Sequence, residues 1–208
     1  MMKRIFDIVF SLSVLLALSP LLIVVSLLIK VGDGGSLFYR GARTGRYGRP
    51  FRIFKFRTMV PNAEAIGGAS TADEDPRITR VGRALRRYKL DELPQFINVL
   101  IGDMSVVGPR PEVKYYTDMY SETEKVILTV RPGITDWASI WNSDEGAVLA
   151  GAADPEKAYQ KLIRPTKIRL QLKYVRERSF FTDLKIIFLT MLAILKPESK
   201  AVQEIRAQ

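Results

Sequence analysis

From Ile8 to Ile29 the chain carries no charged residue. Those 22 residues would make a helix about 33 Å long, enough to cross a bilayer core of about 30 Å. A secretory leader fits poorly, because the uncharged run is too long. Ser19-Pro20 interrupts the run. An internal proline loses a backbone hydrogen bond and clashes with the carbonyl four residues back, so a kink is expected there. The Ser19 hydroxyl can cap a freed carbonyl. Cations flank both ends: Lys3 and Arg4 before the run, and Arg40, Arg43, Arg46, Arg49, Arg52, Lys55 and Arg57 after it. Positive charge marks the cytoplasmic side, so both ends ask for the same side. Two readings stand: a kinked span, or a hairpin that dips in and returns.

Beyond residue 36 the pattern changes. Phe51-Arg52-Ile53-Phe54-Lys55-Phe56-Arg57 nearly alternates apolar and basic residues, the mark of a half-buried strand. Gly45-Arg46-Tyr47-Gly48-Arg49-Pro50 reads as a turn, so Leu37–Thr44 and Phe51–Met59 are expected to form a hairpin. Asn62 to Pro76 reads as a polar loop. Val81, Leu85 and Tyr88 recur at helical spacing within Arg77–Lys89, which predicts a helix with a basic face. Pro94 suits the first turn of the next helix, which puts Asp91 and Glu92 at its start. A helix is expected over Tyr115–Val130, ended by Arg131-Pro132-Gly133, and another over Asp154–Tyr174 with Pro165 interrupting it. Asp183–Leu195 is strongly apolar but too short to span. It is a core helix or an interfacial one. The predicted class is α+β.

Composition narrows the chemistry. The chain has 208 residues, a net charge of +10, and neither cysteine nor histidine. Disulfides, Cys or Ser–His nucleophile systems, imidazole bases and Cys/His zinc sites are therefore excluded. Any metal must be a hard, oxygen-liganded ion such as Mg²⁺. The positive balance points to an anionic partner: nucleic acid, anionic lipid or a phosphorylated substrate.

Two adjacent acids are ordinarily a solvated pair, but the setting of Asp91 and Glu92 is unusual. They follow Arg77, Arg80, Arg83, Arg86, Arg87 and Lys89 with no acid between. Such a field keeps a carboxylate ionised and draws phosphates to it. An ionised carboxylate can attack phosphorus to form an acyl phosphate, and it can ligate Mg²⁺. Arg110, set between Pro109 and Pro111, presents a planar fork suited to phosphate. Its bland alternative is a structural salt bridge to Glu112 or Asp103.

Eight segments, in order, carry a resemblance: Lys3-Arg4-Ile5-Phe6-Asp7, Ser19-Pro20, Lys55-Phe56-Arg57-Thr58-Met59, Asp91-Glu92-Leu93-Pro94-Gln95, Asn98-Val99-Leu100, Gly102-Asp103-Met104-Ser105, Val107-Gly108-Pro109-Arg110-Pro111 and Arg131-Pro132-Gly133-Ile134-Thr135. Through them the chain resembles the bacterial sugar transferases, specifically the small monotopic phosphoglycosyl transferases. The resemblance implies transfer of a sugar 1-phosphate from a UDP-sugar to polyprenyl phosphate, with release of UMP. It implies Asp91 as covalent nucleophile and Mg²⁺ ligand, Glu92 as its acid/base partner, and Arg110, with Arg86, Lys55 and Arg57 behind it, as phosphate-binding groups. It also implies that Ser19 and Pro20 break the membrane helix into a re-entrant anchor over residues 1–32. Residues 33–208 would then form a catalytic domain lying on the cytoplasmic face of the bacterial inner membrane, in contact with phospholipids, with interfacial amphipathic helices and no nucleic-acid partner. A dimer stays open as the assembly state. After Thr135 the chain departs from the usual family pattern, reading Asp136-Trp137-Ala138-Ser139-Ile140-Trp141-Asn142, so no sugar contact is assigned to that loop. A competing reading from charge alone is a membrane-anchored, non-catalytic basic module that binds anionic lipid or nucleic acid.

Overall fold

The computed structural model describes residues 2–63, 75–142, 148–149, 151–152 and 154–207. Helices α1 (Met2–Ala17) and α2 (Ser19–Asp33) meet at a bend of 64°. Pro20 sits in the first turn of α2, where its missing N–H costs nothing. The Ser19 hydroxyl donates to the Leu16 carbonyl at 2.8 Å, so the bend leaves that carbonyl satisfied. Among the described residues no single helix is long and apolar enough to cross a membrane; the bent pair is, by length and composition. Its outer faces expose Ile5, Val9, Leu12 and Leu16 on α1, and Ile23, Val24, Leu27 and Leu28 on α2. Its inner faces dock on one body. Phe10, Val14 and Leu15 pack on the main core, while Val25 and Ile29 are buried against Phe56 and Leu85.

The expected hairpin is present in two pieces. β1 (Phe38–Tyr39) pairs with β4 (Lys55–Phe56), and β2 (Ala42–Thr44) with β3 (Pro50–Arg52), both antiparallel. Phe38 lies opposite Phe56 and Arg43 opposite Phe51, so one register runs through both pieces. The gap falls at Arg40–Gly41 and Ile53–Phe54. The turn is tight, with Tyr47 and Gly48 at φ +58° and +76°.

Helix α3 (Arg80–Arg87) is shorter than the expected stretch, because Thr79 caps it by accepting from the Gly82 N–H at 2.9 Å. Arg77 falls outside the helix and pairs with Asp75 at 2.6 Å. A tight turn, Leu90–Glu92, then leads through Pro94 into α4 (Gln95–Ile101). β5 (Ser105–Val107) and β6 (Gly133–Thr135) form a parallel pair that periodicity did not suggest. It requires two glycines. A Cβ on Gly133 would lie 2.0 Å from the Gly108 nitrogen, and one on Gly108 would lie 2.4 Å from the Arg131 carbonyl oxygen.

The single helix expected over Tyr115–Val130 is not formed. There are two pieces, α5 (Lys114–Asp118) and a 3₁₀ segment over Glu124–Thr129. Ser121 and Glu124 restart the chain reciprocally. The Ser121 N–H donates to Glu124 Oε2 at 2.9 Å, and the Glu124 N–H donates to Ser121 Oγ at 3.3 Å. This is a capping box, which begins a helical segment rather than continuing one. Asp136 caps α6 (Trp137–Trp141). α7 (Pro155–Ala158) runs through a wide π turn, Tyr159–Ile163, into α8 (Arg164–Glu177). Pro165 falls in the first turn of α8, where its missing N–H costs nothing, so the helical run expected over Asp154–Tyr174 is divided there. α9 (Phe180–Leu195) and α10 (Lys200–Arg206) close the chain. Val99, Met104, Val107, Ile140, Leu170, Tyr174 and Ile186 form the centre of the core. Phe181, Leu184, Phe188, Met191 and Leu195 form an exposed apolar stripe on α9.

Candidate active site

The acid pair sits where α3 turns into α4. Lys89 adopts a left-handed conformation, φ +55°, which redirects the chain into the tight turn. Asp91 is buried, 8 % exposed. Its burial pushes the carboxyl above the ordinary aspartate range; Lys55, Arg86 and Arg110 oppose this without cancelling it, and Glu92 adds to it. Among the described residues none donates a hydrogen bond to that carboxylate.

Glu92 is the opposite case. Its Oε1 accepts from Lys55 Nζ at 2.8 Å. Arg110 forks onto it, one nitrogen donating to Oε2 at 3.0 Å and the other to Oε1. Burial alone would push the Glu92 carboxyl up, but Arg110 and then Lys55 outweigh burial and hold it well below the usual carboxylate range. The two neighbouring acids are thus driven apart: Asp91 is buried with its carboxyl raised, and Glu92 is fully engaged and lowered.

Each cation has its own support. Arg110 is held by the flanking prolines, and its N–H points to Asp136 Oδ2 at 3.4 Å. Neither expected structural partner takes its guanidinium. Glu112 pairs with the buried Lys167 at 2.6 Å, and Asp103 accepts from Asn98 Nδ2 at 3.2 Å. Arg86 donates to Thr58 Oγ1 at 3.1 Å. That contact depends on close approach of α3, since a Cβ on Gly82 would lie 2.0 Å from the Thr58 carbonyl oxygen. Lys55 projects from β4. Arg57 is the exception: beyond β4 its guanidinium lies against Gly35 at the end of α2, where a Cβ on Gly35 would meet Nη1 at 2.0 Å. Lys55, Arg86, Arg110, Asp91 and Glu92 are brought together, and Arg57 stands at the foot of the helix pair.

Three further side chains support the site; each lies in a segment that carries the family resemblance, but the sequence attached no role to it. Asn98 is fully buried in α4; it accepts from the Phe54 N–H at 2.7 Å and donates to the Arg52 carbonyl at 2.9 Å. Asp7 is buried in α1 and accepts from Ser105 and from the Val106 N–H. Arg4 donates to the Val99 and Leu100 carbonyls at 2.5 and 2.9 Å, closing the C-terminal end of α4. The available signal was a lone polar residue inside an apolar helical stretch, as in Phe96-Ile97-Asn98-Val99-Leu100, where asparagine is intrinsically disfavoured.

Among the described residues no cluster of three or more acids could cage a metal. Glu92 is occupied by Lys55 and Arg110, which leaves the Asp91 carboxylate. One carboxylate together with substrate phosphate oxygens is a donor set that Mg²⁺ uses, so the site fits an ion shared with a phosphorylated substrate and not a protein-only metal centre.

A mainly helical chain thus sets a buried carboxylate, Asp91, beside a second acid held by Lys55 and Arg110, with Arg86 adding to the cationic setting. Residues 1–197 match the bacterial sugar transferase family, and the chain belongs to it. It is 39% identical over 198 residues to the UDP-glucose:undecaprenyl-phosphate glucose-1-phosphate transferase of Escherichia coli K12, covering 92% of this chain and 39% of that protein. It is 37% identical over 196 residues to the UDP-N-acetylgalactosamine-undecaprenyl-phosphate N-acetylgalactosaminephosphotransferase of Aeromonas hydrophila, covering 93% of this chain and 43% of the relative. It is 35% identical over 207 residues to the exopolysaccharide production protein ExoY of Sinorhizobium fredii, covering 92% of this chain and 84% of ExoY. The chain therefore spans less than half the length of the first two relatives and most of the third.

Proposed function

We propose that this chain transfers a sugar 1-phosphate from a UDP-sugar to polyprenyl phosphate and releases UMP. The observation that carries this reading is the division between the acids: Asp91 has free oxygens in a cationic setting, while Glu92 is bound by Lys55 and Arg110. An Asp91 oxygen attacks the phosphorus that bears the sugar, and the bond from that phosphorus to the UMP oxygen breaks. A phosphosugar–aspartate intermediate results. A polyprenyl phosphate oxygen then attacks the same phosphorus, the acyl–phosphate bond breaks, and Asp91 is regenerated. Arg110, Arg86 and Lys55 hold the diphosphate. As phosphate draws Arg110 and Lys55 away from Glu92, that carboxylate is freed to accept the acceptor's proton. Magnesium held by Asp91 and diphosphate oxygens would add charge neutralisation.

The bent helix pair serves in this reading as a re-entrant anchor over residues 1–32, with residues 33–208 as the catalytic body on the cytoplasmic face of the bacterial inner membrane. The exposed apolar faces of α1 and α2, with the α9 stripe lying in the interface, support that placement. The test is UMP release from UDP-sugars with short-chain polyprenyl phosphate and Mg²⁺, with trapping of labelled phosphosugar on the protein. Release and trapping, both lost in Asp91→Asn, are the expected result. Full turnover by Asp91→Asn would sink the covalent route.

A further inference from the structure

We propose that Asn98 is a positioning residue that acts through Lys55, an inference that rests on the phosphate-transfer reading above. Asn98 is buried in the middle of α4, with no access to substrate. Its side-chain amide bonds two backbone groups of one segment, accepting from the Phe54 N–H at 2.7 Å and donating to the Arg52 carbonyl at 2.9 Å. A primary amide presents an N–H donor beside a C=O acceptor, as a peptide unit does, and has a second N–H to spare. Asn98 therefore docks on the outer edge of the hairpin as a single rung of a strand would. The inner edge is separately held, where the Ile53 N–H donates to the Gly41 carbonyl at 3.1 Å. The rung falls at the gap between β3 and β4, where the antiparallel pairing of the hairpin is interrupted.

The next residue is Lys55, whose Nζ reaches Glu92 Oε1 at 2.8 Å. Glu92 stands six positions before Asn98 on the same turn-and-helix unit. Both ends of the connection thus belong to one rigid element. Asn98 fixes the strand against α4, and Lys55 spans back to the acid pair at its start. Donation from Asn98 Nδ2 to Asp103 Oδ2 at 3.2 Å holds the amide in the required orientation. Sequence-distant Lys55 is then placed beside Asp91 by geometry rather than by its own flexible stem.

A double-mutant cycle on the full-length protein tests this. UMP release is measured for Asn98→Ala, Lys55→Met and the double variant, with melting temperatures followed in parallel. Asn98→Asp is a second variant that keeps the acceptor for Phe54 but loses the donors to Arg52 and to Asp103. The expected result is a roughly tenfold loss in kcat from either Asn98 substitution when Lys55 is present, and less than a twofold loss on top of Lys55→Met. Equal losses in both backgrounds would reduce Asn98 to a structural residue and overturn the proposal. Undiminished activity in Lys55→Met would remove the role of Lys55 itself, and the proposal with it. If Asn98→Ala fails to fold, the same comparison with Asn98→Asp decides.

Discussion

Asp7 and Ser105 are hydrogen-bonded across 98 positions of sequence, the Ser105 hydroxyl lying 3.0 and 2.9 Å from the two Asp7 carboxylate oxygens. The Val106 N–H adds a bond to Oδ1 at 3.0 Å. This buried contact ties the first leg of the helix pair to the β5 strand, just after the helix that begins at the acid pair. Lys3 reinforces it by donating to the Val107 carbonyl at 3.0 Å and to Asp183 at 2.6 Å. Asp7→Ala leaves a buried hydroxyl and a buried N–H without their acceptor. The expected cost is about 2–4 kcal/mol of stability. Asp7→Asn retains one acceptor oxygen and should lose less. Chemical denaturation in detergent micelles measures both.

Gly108 and Gly133 make the only described parallel strand pair possible, since each backbone occupies the space that the other's Cβ would need. Gly133→Ala cannot be absorbed by moving a flexible side chain, because the obstacle is the Gly108 backbone nitrogen at 2.0 Å. The strands must separate, at a cost of about 2 kcal/mol or more. Arg110 follows Gly108 by two positions, so activity should fall by more than the loss of folded protein explains. Specific activity of the soluble, folded fraction at 20 °C below its melting midpoint reads the second effect apart from the first.

What could be read along the chain was mostly local. Ser19-Pro20 announced the bend, and Gly45–Pro50 announced the turn of the hairpin. The helix starts at Arg80 because Thr79 caps it, a signal that the helical spacing of Val81, Leu85 and Tyr88 does not carry. The capping box Ser121-Glu122-Thr123-Glu124 was present in the sequence, yet the apolar residues on either side suggested one continuous helix. Non-local pairings were not legible at all. Neither the β5–β6 pair nor the choice of Glu92 over Glu112 as the Arg110 partner follows from spacing, because both depend on how α8 and the two strands pack. At the site, family resemblance singled out Asp91, Glu92 and the cations. The supporting residues Asn98 and Asp7 carry their meaning only in three dimensions.

The buried state of Asp91 sets opposite demands on chemistry and stability. Its carboxyl is raised by burial, so the folded protein binds that proton more tightly than the unfolded chain does. Its contribution to stability therefore falls as pH rises through the ordinary aspartate value and up through the raised one. A neutral amide escapes this penalty. Asp91→Asn should thus melt higher than the parent at pH 7 to 8, with the gap closing as pH falls toward the ordinary aspartate range. Activity moves the other way. The nucleophile works only when ionised, so the acid limb of the parent's pH–rate profile should lie above the range of an ordinary aspartate. Asp91→Asn should lose activity by on the order of 10³-fold or more. Melting curves and UMP release across pH measure both; a variant that is inactive and also less stable at neutral pH would contradict the account of the buried carboxylate.

Both legs of the helix pair return to the same body. Lys3 and Arg4 reach Val107, Asp183, Val99 and Leu100. At the far end of α2, Val25 and Ile29 pack on Phe56 and Leu85. A straight span would have to tear one of these contacts away, at the cost of exposing buried charge partners or apolar side chains. The bend of 64° avoids that choice. The chain has no cysteine of its own, so single labels report cleanly. Met2→Cys and Ser36→Cys both fall on exposed positions. In intact cells a membrane-impermeant maleimide should label neither, and after permeabilisation it should label both. Labelling of one site alone from outside would mean that the pair spans the membrane, and the re-entrant arrangement would fall.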